Sequence, residues 1–135
     1  MNWEEIVGQG NLKNLLKESI SDNRVSHAQL FVGKDGYGTL PLALAFAKEI
    51  FKKENEHSSS KVENLNHLDL HFTFPVFKEK SSGLTENFLT NFREMVLENP
   101  YLNLEDWSKF LASENKQLTI YADEIELIKK IFIDE

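Results

Sequence analysis

Residues 28–44 read Ala-Gln-Leu-Phe-Val-Gly-Lys-Asp-Gly-Tyr-Gly-Thr-Leu-Pro-Leu-Ala-Leu. A short apolar run leads into a glycine-rich turn and then into an apolar stretch with a proline near its start. That order predicts strand, turn and helix, the arrangement in which main-chain N–H groups and a helix N-terminus face an anion. Gly33 and Gly38 have the spacing of the phosphate-binding pattern G-x-x-x-x-G-K-[ST]. The two residues that carry its chemistry are missing. Thr39 stands where a lysine reaches the outer phosphates, and Leu40 stands where a hydroxyl holds magnesium. Lys34 is a substitute cation, but it precedes the turn, and Asp35 beside it repels phosphate. Hydrolysis is therefore not expected, because that chemistry rests on positioned cations and metal. Weak anion binding by the bare backbone stays open. The plainer reading is that Gly33, Gly36 and Gly38 serve a tight turn between strand and helix.

The remaining composition narrows the function classes. A chain of 135 residues with 41% hydrophobic and 11% aromatic residues fits one globular domain. The absence of cysteine excludes disulfides and thiolate zinc sites and fits a reducing cytoplasm. Met-Asn-Trp-Glu-Glu-Ile at the start lacks the pattern of a signal peptide, and no apolar run reaches membrane-spanning length, so a cytoplasmic location is expected. A formal net charge of −7 argues against direct DNA binding, since phosphate neutralisation supplies much of such affinity.

In chain order, Trp3, Ile6 and Val7 lead into the Gly8-Gln9-Gly10 turn. A helix is expected next, capped by Asn11, with Leu12, Leu15, Leu16 and Ile20 on one face and an end at residues 21–24. Residues 28–32 read as a central strand. In the following helix Leu40, Leu44, Ala47 and Phe51 form a stripe, Pro41 sits in the first turn, and Lys48, Lys52 and Lys53 face outward. The polar, serine-rich stretch 54–66 reads as a mobile loop. Alternation of Leu70, Phe72, Phe74 and Val76 predicts a half-buried strand, which Pro75 puts at a sheet edge. After a loop at 78–83, two helices follow: one with Phe88, Phe92 and Met95 inward and Asn99-Pro100 as its stop, the other capped by Asn103 with Leu104, Trp107 and Leu111 inward. A strand at 118–121 leads to a last helix whose inner face is Ile125, Ile128, Ile131 and Phe132. The expected class is α/β. Three strands are fewer than the roughly five or six of a typical sheet, so the chain reads as a partial domain.

Ile6-Val7-Gly8-Gln9, then Arg24-Val25-Ser26-His27-Ala28-Gln29-Leu30-Phe31-Val32-Gly33, then the glycine turn, resemble the start of a clamp-loader AAA+ subunit. The degenerate loop is similar to that of the family's non-hydrolysing branch, the delta-prime subunits of bacterial DNA polymerase III. His67-Leu68-Asp69-Leu70 resembles the His-Pro-Asp element of the second strand, with Leu68 in place of proline. The resemblance implies a P-loop, AAA+-like three-layer domain with a central, mostly parallel sheet, here cut before the Walker B strand. Its core would be 1–53 and 67–77, with 84–114 a helical insertion and 118–133 a last strand and helix. Val7, Gly8 and Gln9 would be a vestigial base pocket, beside the degenerate phosphate loop of Gly33, Lys34, Gly36, Gly38, Thr39 and Leu40. The zinc module common in the family has no counterpart, because its interval, 51–66, contains no cysteine. Neither zinc nor ATP is expected as a cofactor. The implied partners are the delta subunit and the ATPase subunits of the clamp loader, with no membrane and no direct DNA contact. The implied role is that of a non-hydrolysing scaffold in sliding-clamp loading. Self-association of the fragment through an open sheet edge is a further hypothesis.

Two rivals stand beside this: an active nucleotide-binding ATPase with an atypical loop, and a non-AAA+ protein-interaction module. No catalytic residue is assigned, since the serines at 58–60 and 81–82 lack a glycine-flanked elbow. No metal site is assigned either. His67 and His71 on one strand face would stand about 13 Å apart, too far to share an ion. His57 falls in the polar loop, and His27 reads as a structural residue. Phe72, Phe74, Phe77, Phe88 and Phe92 read as core, because no basic residues interleave with them.

Overall fold

The computed structural model describes residues 1–78, 82–111 and 116–133. The expected loop at residues 79–81, Ser81 with it, and the end of the 84–114 segment at residues 112–114 lie outside the described residues. Six α-helices are described: α1 (Gly10–Ser21), α2 (Thr39–Glu54), α3 (Ser59–Glu63), α4 (Leu89–Glu98), α5 (Leu104–Phe110) and α6 (Ala122–Phe132). Short 3-10 turns cover Trp3–Glu5, Glu56–Ser58 and Thr85–Phe88.

Among the described residues there is no central parallel sheet. They are 56% helical and 2% strand, and the pairing between them is one antiparallel bridge, Val76 with Thr119. Residues 28–32 carry no strand, and residues 25–33 make no main-chain hydrogen bond to another described residue. Leu30 and Val32 are 88% and 82% exposed, whereas a central strand is buried on both faces. Strand identity is a matter of pairing, and no described segment lies alongside to pair with. The stretch around 70–77 likewise forms no strand, although Phe74 and Val76 are buried and His71 and Thr73 exposed, as the alternation predicts.

The chain forms two compact units: Met1–Leu70 with Asn99–Leu102, and His71–Glu98 with Asn103–Glu135. In the first unit, Trp3, Ile6, Leu16, Ile20, Leu42, Ala45 and Phe46 form the core, joined by Met1, Phe31 and Ile50. The Phe31 ring meets Phe46 edge-on at 6.1 Å. Of the predicted α1 stripe, Leu16 and Ile20 are buried, while Leu12 and Leu15 are 40% and 65% exposed. Asn11 is not the cap. Gln9 occupies the N-cap in the left-handed region, with no side-chain capping bond. α1 ends in a hydrogen-bonded reversal, Arg24 N–H to Ser19 O and Asn23 N–H to Ile20 O, with Asn23 at φ +55°. The Lys53 ammonium donates to the Ile20 carbonyl at 2.6 Å, satisfying a helix-end acceptor.

The stretch 54–66 is not a loop. It folds as a 3-10 turn and α3, and it buries Val62 and Leu65. Lys48, expected to face outward, instead donates to Glu63 and to Asn2 Oδ1.

The second unit is built on aromatic packing. Phe74 stacks on Phe92 with centroids 4.1 Å apart, and both meet Trp107 edge-on. Trp107, 2% exposed, donates its indole N–H to the Pro75 carbonyl at 2.7 Å. Asn103 caps α5 as predicted, in a reciprocal box with Asp106. Leu104 points outward, at 56% exposure. α6 also departs from expectation. Its buried residue is Glu124, and Ile125, Ile131 and Phe132 are 45%, 36% and 56% exposed.

Candidate functional site

The glycine-rich turn and the N-terminal turn lie together in the first unit. Gly38 sits at the N-cap of α2 with φ +97°, a conformation that favours glycine, and Gly36 has φ +80°. Pro41 is buried in the first turn of α2, where its missing N–H costs no helical bond. A second bend, Tyr37 N–H to Lys34 O at 3.1 Å, shapes the tip of the loop. Lys34 is exposed at that tip. Thr39 is turned back on the loop: a Cβ on Gly33 would come 2.8 Å from its methyl carbon.

The Gly8–Gln9 turn has two successive residues in the left-handed region, at φ +70° and +61°. It follows the Ile6–Val7 peptide, whose two polar groups are both engaged. The Ile6 carbonyl accepts from the Lys13 ammonium at 2.5 Å, and the Val7 N–H donates to the Tyr101 hydroxyl at 3.3 Å.

A cleft of about 490 Å³ is lined by Gln9, Leu12, Gln29–Val32, Gly33, Tyr37, Gly38 and Thr39 among others, mostly with apolar groups. The fold thus brings Gln9 together with Gly33, Gly38 and Thr39 from the predicted loop. Lys34, Gly36, Leu40, Val7 and Gly8 are not in its lining. The cleft can hold an apolar or planar group against the α2 N-terminus. It supplies no lysine and no acidic pair for a metal-bound polyphosphate.

Tyr101 and Lys13 were invisible to motif reasoning. Asn99-Pro100 reads as a helix stop, and the residue after it carries no local sign of a distant partner. Tyr101 belongs with the first unit although the helices before and after it belong to the second.

Elsewhere, no group of three or more His, Asp or Glu side chains among the described residues is placed to hold a metal ion. His67 accepts the Asp69 N–H at 3.0 Å and lies against the Phe51 ring at 4.3 Å. His71 meets the Phe132 ring at 5.1 Å. The Glu63 carboxyl is held below its ordinary value by its hydrogen bond from Lys48, against the opposing effect of burial. Among the described residues no helix is long and apolar enough to cross a membrane.

Comparison with known proteins gives the class. The family described as DNA polymerase III, delta subunit, matches residues 8–133, and the chain belongs to that family. Within it, the chain is 35% identical over 100 residues to DNA polymerase III subunit delta' of Bacillus subtilis (strain 168), covering 65% of this chain and 30% of that protein. The resemblance to delta-prime subunits read from the sequence is borne out. The chain spans about 30% of the length of that relative. No solved structure matches the chain.

Proposed function

We propose that the protein carrying this chain works in clamp loading as a non-hydrolysing delta-prime-type subunit, in the cytoplasm, as a scaffold for other subunits of the loader. The observation that carries the proposal is local. Within a family of replication proteins, this loop has Thr39 and Leu40 where nucleotide chemistry needs an ammonium and a metal-binding hydroxyl. Lys34, exposed at the loop tip and next to Asp35, does not replace them. A subunit that does not turn over nucleotide contributes through surfaces, and the delta subunit and the ATPase subunits are the partners proposed. The net charge of −7 accords with protein rather than DNA contacts for this stretch.

The test is an equilibrium titration of the full-length protein with ATP, with and without magnesium. No binding up to millimolar nucleotide is expected, together with co-sedimentation of the protein with the other loader subunits. Micromolar, magnesium-dependent binding would sink the disarmed-loop reading and favour an active nucleotide-binding protein.

A further inference from the structure

We infer that Tyr101 is a built-in occupant of the notch between Val7 of the N-terminal turn and Gly38 of the glycine loop, so that this notch, beside the open cleft, is filled by the chain itself. Three observations on this structure place it there. The Tyr101 hydroxyl accepts the Val7 N–H at 3.3 Å. Its ring faces Gly38: the ideal Cβ position of that glycine lies 3.4 Å from Tyr101 Cε1 and 3.9 Å from the Ile6 methyl carbon Cγ2. Ile6 is core, at 2% exposure, and Gly38 is itself buried. The aromatic ring therefore sits against the residue that caps α2, with its polar end on the turn that precedes α1.

The side chain is presented by a turn built for the purpose of rigidity. Asn99 accepts the Tyr101 N–H on its side-chain oxygen at 3.1 Å and the Leu102 N–H on its carbonyl at 3.2 Å. Pro100 pre-sets the second position of that turn. Asn103 then starts α5 with its reciprocal cap. Little conformational entropy remains to be lost when Tyr101 docks, because its backbone is already fixed on both sides. The peptide it grips is fixed as well, since the Ile6 carbonyl is held by Lys13.

The inference rests on the disarmed-loop reading and deepens it. Thr39 and Leu40 remove the chemistry, and Tyr101 fills the side of the loop that faces the Val7 N–H, while the cleft lined by Gln9, Gly33 and Thr39 stays open. A ligand group that reaches the Val7 N–H must first displace the ring, so its apparent affinity falls by the fraction of molecules in which the ring is out.

The experiment uses the full-length protein in two backgrounds. The first is a restored loop, Thr39→Lys with Leu40→Thr. The second adds Tyr101→Ala. The variant with Tyr101→Ala is expected to bind magnesium-ATP about tenfold tighter or more than the restored loop alone, as a mostly closed notch requires. A triple variant that binds no tighter than the double overturns the inference. As a milder probe, Tyr101→Phe keeps the ring and loses the acceptor, so the Val7 amide should exchange roughly three- to tenfold faster. In the same sample the amides of Leu16 and Ile20 in α1 should stay as they were. An unchanged Val7 amide would count against the contact. Tight ATP binding by the unaltered protein is a separate outcome, because it refutes the disarmed loop rather than the docking of Tyr101.

Discussion

The main-chain N–H of Thr85 donates to the carboxylate of Glu124 at 3.0 Å, across 39 residues of chain. The other Glu124 oxygen accepts the Thr73 hydroxyl, also at 3.0 Å. Glu124 is 5% exposed and Thr85 2%, so a single acid near the start of α6 satisfies two segments of the second unit from inside it. Its place in the first turn of α6 also suits an anion, which the positive end of the helix favours.

Glu124→Ala should therefore lower stability by about 2–3 kcal/mol, because a charge-assisted bond is lost and a buried N–H is left without an acceptor. Glu124→Gln retains an amide oxygen and should lose less. Urea denaturation followed by the tryptophan signal measures both, since Trp107 lies in the same unit. Equal midpoints for the alanine variant and the parent would show that the carboxylate is not holding Thr85.

Leu65 offers an unusual ordering of substitutions. It is 3% exposed and stands at φ +58°, where the chain reverses after α3 with Leu65 N–H on Val62 O and Asn66 N–H on Lys61 O. A leucine there is strained by about 1–2 kcal/mol, so the burial of its side chain must outweigh that cost. Leu65→Ala keeps the strain and loses the packing, for a destabilisation of about 2–4 kcal/mol. Leu65→Gly loses the same packing but relieves the strain, and should be about 1 kcal/mol less damaging than alanine. Thermal unfolding that ranks glycine below alanine would contradict this account.

The Lys48–Glu63 pair predicts a pH dependence. The folded Glu63 carboxyl titrates below its ordinary value of 4.5, with the hydrogen bond from Lys48 as the leading cause. Its contribution is thus fully present above about that value and is lost as pH falls through the lowered folded value. Glu63 is 43% exposed on its side chain, so the effect should stay under about 1 kcal/mol. Glu63→Gln should flatten the acid limb of the stability curve between pH 5 and pH 3, by roughly that amount, without changing its shape near neutrality. An acid limb as steep in the variant as in the parent would remove Glu63 from the account.

Gly83 is buried against Tyr121. A Cβ there would lie 2.5, 2.6 and 2.9 Å from Tyr121 Cδ2, Cγ and Cβ. Gly83→Ala should cost about 1–3 kcal/mol through overpacking. Combining it with Tyr121→Ala should cost less than the sum of the two single changes, because the obstacle is then gone. Strict additivity in a double-mutant cycle would mean that the two residues do not meet.

Much of the chain was legible residue by residue. The helical spacing of Leu16 and Ile20, of Leu44 and Phe51, and of Phe88 and Phe92 placed helices where they occur, because a helix closes its hydrogen bonds within its own segment. Asn103 and Pro41 were readable for the same reason: a cap and a first-turn proline act within three or four residues. The family, too, followed from local words in the chain, the Val7-Gly8-Gln9 box and the run from His27 to Gly33. The loop's missing lysine and hydroxyl needed no fold to be seen.

Tertiary structure decided everything that depends on a distant partner. Residues 28–32 have strand composition, yet a strand exists only when another backbone pairs with it, and none of the described residues does. Val62 and Leu65 lie in a polar stretch that periodicity cannot flag, and α3 becomes visible only once Lys48 reaches Glu63. Glu124 turns inward on α6 because Thr73 and Thr85 bring it a hydroxyl and an N–H, which no pattern within that helix encodes. Tyr101 reaches Val7 from 94 residues away, and only folding puts its hydroxyl within hydrogen-bond range. Sequence by itself determined the amphipathic helices other than α3, the Asn103 cap, the family and the chemistry absent from the loop, since each is set by neighbours within a few residues. The closed notch and the buried acid were set by long-range contacts, whose free energy appears only when the chain has already brought both partners together.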